Sequence, residues 1–121
     1  MTDEMSAIVE FLRARYAESV ASARQIGNVF IAEADRFGVR QGQAEQHAQL
    51  RLHATEIRSR FFEETVVPYL GTAGPTGRIA EVQLRLLAWE HLGHPDFDAR
   101  WSPGTGTTEA PTVGRGPEQP T

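Results

Sequence analysis

The chain has neither cysteine nor lysine among its 121 residues, and it holds no long apolar run. Without thiols, a disulfide framework, a thiolate metal site and a cysteine nucleophile are excluded together. That absence fits a reducing compartment, and a cytoplasmic location is the expectation. No stretch approaches the roughly 20 apolar residues of a membrane span. The only early apolar run, Ala7–Leu12, is short and interrupted by Glu10, so no secretory signal is read. All twelve basic residues are arginine. No physical ground excludes lysine everywhere, so the codon usage of a GC-rich genome is the simpler cause. The net charge of −4 arises from arginines scattered among carboxylates. A duplex-binding surface would show a basic stripe, and none is evident, so nucleic acid is not the expected partner.

What the chain does have is helical periodicity almost throughout. Met5, Ile8, Val9, Leu12, Tyr16, Val20 and Ala23 recur at three- and four-residue steps, as the apolar face of one helix does. Thr2 or Asp3 can cap its first turn, where Asp3 and Glu4 also suit the helix dipole. Gly27-Asn28 reads as a stop and restart, and Val29–Phe37 as a short helix in preference to an extended segment. The longest helix is expected from Gln43 to Leu70, with an inward stripe of His47, Leu50, Ala54, Ile57 and Phe61 continued by Phe62, Val66 and Leu70. Pro68 should kink or stop it. Gly71–Gly77 is expected as a turn, with Thr76 capping a last helix whose stripe is Ile79, Val82, Leu86 and Trp89, widened by Leu87. Gly93 then stands where a left-handed closing residue belongs, followed by Pro95.

The expected fold is therefore all-α: three main helices and one short one, as a small bundle or helical hairpin over residues 1–101. Residues 102–121 hold four of the seven prolines and only Ala110 and Val113 as apolar side chains. Such a composition buries too little to offset its ordering entropy, and a disordered tail is expected.

Ile8-Val-Glu-Phe-Leu-Arg-Ala-Arg-Tyr-Ala-Glu18, together with Leu84-Arg-Leu-Leu-Ala88, Gly93-His-Pro-Asp-Phe97 and Trp101, resembles a family of small actinobacterial and actinophage proteins with a domain of unknown function. The likeness covers the first helix and the last. Members of that family often carry a strand-like, tryptophan-containing insertion between the outer helices; here only the short link 28–42 stands there. The resemblance implies a source, an actinobacterium or its phage, and no activity.

The candidate metal ligands are His91, His94 and Asp96, since imidazole nitrogens and a carboxylate oxygen suit zinc and similar ions. Gly93 and Pro95 place them at a helix end, where a histidine also suits the dipole and an aspartate after proline nucleates a turn, so a structural role is preferred. His47 and His53 lie about 120° apart around a helix and cannot chelate one ion within it. His53 and Glu56 supply only half a carboxylate–histidine site. The serines occupy no nucleophile elbow. Gly71-Thr-Ala-Gly74-Pro-Thr-Gly77 lacks the lysine and preceding strand of a phosphate-binding loop. No catalytic set and no cofactor emerge. Trp89, Phe97 and Trp101 are the candidate partner-binding residues, although Phe97 and Trp101 are expected first to fold back as a staple. The functional expectation is a non-enzymatic helical interaction protein, with a homodimer as one form. The alternatives are a nucleic-acid-associated regulator using Arg51, Arg58 and Arg60, and a metal-binding protein.

Overall fold

The computed structural model describes residues 1–103. The fold is all-α, with no strand among the described residues. Helix α1 spans Asp3–Ala32, α2 Gln41–Thr65 and α3 Pro75–Trp89, with 3-10 turns at Val67–Tyr69 and Ala99–Trp101. The expected tail lies outside the described residues from 104 on.

The described chain divides into two compact units. One combines Met1–Phe11 with the described residues from Leu70 onward, and the other is Leu12–Tyr69. Helix α1 supplies residues to both.

The first unit begins with a cap. Thr2 Oγ1 accepts from the N–H of Met5 at 3.1 Å, satisfying one of the donors that a helix start leaves open. Met5, Ile8, Val9 and Phe11 of α1 are buried, as are Leu70, Ala80, Leu84, Ala88 and Trp101 of the later chain. Helix α3 starts earlier than expected. Pro75, not Thr76, opens it, with Gly74 as cap residue at φ 80°. Proline suits the first helical position because its missing N–H would have no intrahelical acceptor there. A Cβ on Gly77 would overlap the carbonyl oxygen of Thr72, so only glycine fits where this loop folds onto the first turn of α3. The far end also departs from expectation. Gly93 does not take a positive φ. The chain closes through tight turns instead, with N–H donation from His91 to Ala88, Leu92 to Trp89 and His94 to His91.

In the second unit α1 runs straight through Gly27 and Asn28, so the separate short helix over 29–37 is corrected to the end of α1 plus a turn. Gly27 is there for packing: a Cβ on it would stand 2.9 Å from the Cβ of Ala48 on α2. The chain reverses at Gly38, φ 70°, a conformation open to glycine at little cost. Tyr16 and Phe62 meet at 5.4 Å between ring centroids, and Arg13 forms a two-pronged ion pair with Glu63, 2.8 and 3.0 Å. Helix α2 ends at Thr65, five residues earlier than expected, because Pro68 has no N–H for the next turn and restricts Val67 before it. Phe30 is bracketed by Phe37 and His47 at 5.4 and 5.3 Å.

The main correction concerns which faces are covered. On α2 the buried or half-buried positions are Ala44, Ala48, Leu52, Thr55, Ser59, Phe62 and Glu63. The first part of the expected stripe is exposed, with Leu50 at 61%, Ile57 at 51% and Phe61 at 51%, while its continuation through Phe62, Val66 and Leu70 is buried. On α3 the covered positions are Gly77, Ala80, Leu84 and Ala88, while Ile79, Val82, Leu86 and Trp89 face out. Both helices carry two apolar stripes on roughly opposite sides, and in both the stripe of smaller residues is the one covered. Small side chains let helix axes approach closely, and close approach yields more van der Waals contact per residue.

Candidate functional site

The closing segment folds into an aromatic hook centred on Phe11 of α1. The rings of His91, His94, Phe97 and Trp101 all meet Phe11 edge-on or nearly so, at centroid distances of 5.9, 5.6, 6.2 and 5.2 Å. Phe97 and Trp101 also meet each other at 5.7 Å. Edge-to-face geometry directs positive ring edges at negative faces, so the cluster gains beyond its buried area. Trp101 is 8% exposed and Phe97 half-buried, so neither offers its ring as an open patch.

The candidate ligands are placed by the same hook. His91 and His94 are brought together around Phe11. His94 Nδ1 accepts the N–H of Asp96 at 3.0 Å, a side-chain-to-backbone bond that shapes the turn. The Asp96 side chain stays exposed. Among the described residues no group of three or more His, Asp or Glu side chains is arranged to hold a metal ion. His91 and His94 pack on Phe11, and His94 with the Asp96 N–H holds the turn.

Two charge clusters hold the hook's surroundings. Asp98 accepts the backbone N–H of Arg100 at 2.9 Å and also receives its guanidinium, 2.6 Å at the shortest. The Arg100 side chain, and then its N–H, hold the Asp98 carboxyl down at about 2. Arg85 joins Glu4 of α1 at 2.6 Å and Glu81 of α3 at 3.1 Å. Burial alone would lower the Arg85 pKa; the hydrogen bonds to Glu4 and Glu81 outweigh it, and the guanidinium is held more firmly charged. This pair of contacts fastens the start of α1 to α3 within its unit. The four-residue spacing of Glu81 and Arg85 is legible in the sequence, whereas Glu4 lies 81 positions from Arg85.

What remains open to a partner is on the helix faces. Trp89 is 48% exposed and continues the outer stripe of α3. On α2, His47, Leu50, Ala54, Ile57 and Phe61 alternate steps of three and four, the spacing of the a and d positions of a heptad seam. Arg51 and Arg58 border that seam on one side, and His53 and Arg60 on the other, at roughly 60–100° around the helix from Leu50. Arg60 is paired with Glu64 at 2.8 Å. Arg51 and Arg58 form no ion pair among the described residues. A separate shallow cleft is lined by Ile26, Val29, Phe30 and Phe37. The signal for the α2 seam was present in the sequence as an apolar stripe; its outward direction was not.

No helix of the described chain is long and apolar enough to cross a membrane. No family model, no curated protein and no solved structure matches the chain.

Proposed function

We propose that this chain is a non-enzymatic interaction protein that docks a partner on the outward seam of α2. The observation that carries this reading is the outward placement of Leu50, Ile57 and Phe61 at heptad spacing, while α2 covers Ala44, Ala48, Leu52, Thr55, Ser59 and Phe62 on its inner side. Large apolar side chains gain most from leaving water, so a seam of them turned outward is one that gains by a partner. The hook residues Phe97 and Trp101 are engaged on Phe11 and are not part of that surface. The resemblance of the closing segment to small actinobacterial and actinophage proteins, together with the all-arginine composition, supports an accessory or regulatory role in a phage or its host, in the cytoplasm.

The test joins thermal unfolding to light-scattering molar mass for the chain carrying Leu50→Gln, Ile57→Gln and Phe61→Gln. A melting temperature within a few degrees of the parent supports a docking role for the seam. A fall of the size a core deletion causes assigns the seam to folding and overturns the reading.

A further inference from the structure

We infer that the partner received on α2 is an acidic amphipathic helix, its apolar side chains seated on Leu50, Ala54, Ile57 and Phe61 and its carboxylates set against Arg51 and Arg58. This rests on the docking role proposed above and names the chemistry of the occupant.

The charge pattern decides among occupants. With His47, Ala54 and Phe61 at a positions and Leu50 and Ile57 at d, the flanking e positions are Arg51 and Arg58, and the g positions Gln46, His53 and Arg60. In helix pairing the e and g residues set partner choice and orientation. No acidic residue stands at any of these five positions. A second copy pairing through this seam brings no carboxylate to these arginines in either direction, and antiparallel it sets arginine against arginine. Antiparallel, Arg51 faces Arg58; parallel, His53 faces Arg58 and Gln46 faces Arg51. Glu or Asp at the partner's own e and g positions removes that conflict and supplies acceptors for two guanidiniums with no ion pair of their own among the described residues.

The chain's own end does not fit. From residue 104 onward it offers only Ala110 and Val113 as apolar side chains, against four apolar seam positions, and it has prolines at 111, 117 and 120. A nucleic-acid backbone satisfies the arginines and leaves Leu50, Ile57 and Phe61 without an apolar counterpart.

The experiment titrates the full chain into two labelled synthetic helical peptides of about three heptads, alike in Leu at a and d, one with Glu and the other with Lys at e and g. Fluorescence anisotropy reads binding at low and high salt. The Glu peptide is expected to bind roughly tenfold tighter than the Lys peptide, with the gap narrowing as salt rises. Arg51→Glu with Arg58→Glu, checked for unchanged helicity by circular dichroism, should invert the preference. Ile57→Asp should remove binding of both peptides. Equal affinity for the two peptides overturns the acidic partner and leaves the docking seam standing. Absence of binding by either overturns the inference. So does a concentration-dependent dimer that Ile57→Asp abolishes, which puts a second copy on the seam. Duplex DNA binding lost on arginine reversal but kept in Ile57→Asp overturns it in favour of nucleic acid.

Discussion

The closing hook and helix α2 use large side chains in opposite ways. The hook turns Phe97 and Trp101 inward onto Phe11, so its aromatic area is spent on folding. Helix α2 turns Leu50, Ile57 and Phe61 outward and covers Ala44, Ala48, Thr55 and Ser59, with Phe62 as its one fully buried large side chain. A local segment without regular backbone hydrogen bonding depends on side chains to hold its shape. A long helix holds its backbone bonds internally, and small residues on its inner side suffice if the neighbouring helix comes close. Residue size therefore reports different things in the two regions: anchorage in the hook, and availability on α2.

The contrast breaks first at its anchors. Trp101→Ala should cost about 3–5 kcal/mol, and Phe62→Ala a similar amount, because each removes a buried aromatic from a small core. Thermal or urea unfolding measures both. A loss well under 1 kcal/mol at Trp101 would place the hook among dispensable ornaments.

Close approach is the next point to test. Gly27→Val should destabilise by about 1–3 kcal/mol, since its Cβ already falls within 2.9 Å of the Ala48 Cβ. Pairing it with Ala48→Gly should recover part of that loss. Failure of the double variant to recover would mean that the strain lies in the backbone of α1 instead of at the crossing.

The outer seam should be nearly silent. Ile57→Gln is expected to change stability by no more than about 0.5 kcal/mol, as exposed substitutions do. That value, set beside Phe62→Ala five residues further along the same helix, measures the asymmetry of α2 directly.

The smallest effect concerns acid. The Asp98 carboxyl titrates at about 2 in the folded chain, against 3.8 for an unperturbed aspartate. Its folded value lies below the unfolded one, so its contribution is complete above about pH 3.8 and is lost as pH falls through about 2. A carbon-detected NMR titration of Asp98 should show this, and Arg100→Ala should move its midpoint back toward the ordinary value. Glu63 should likewise titrate below its usual range while Arg13 donates to it, and return on Arg13→Ala.

The all-α class, the three long helices, the Thr2 cap and the break before Pro68 all follow from local chemistry. Capping oxygens and proline's missing N–H act within a turn or two of themselves, so one sequence states them. Gly27 was misread for the converse reason. A glycine that ends a helix and one that admits a neighbouring helix look alike until Ala48 is known to lie against it. Gly93 was misread similarly: the tight turns after Trp89 lie where His91 and His94 pack on Phe11, a contact with no local signal.

The direction of the stripes belongs to tertiary structure alone. On α2 and α3 periodicity reveals two apolar faces and gives no rule for choosing between them. Hydrophobicity per residue favours the larger set, whereas close packing between helix axes favours the smaller, and only the assembled neighbours decide. The sequence by itself determined that the chain is helical, that Thr2 caps it and Pro68 breaks it, and which residues flank each stripe; the fold determined that α1 runs on through Gly27 and that Leu50, Ile57 and Phe61 are left facing outward.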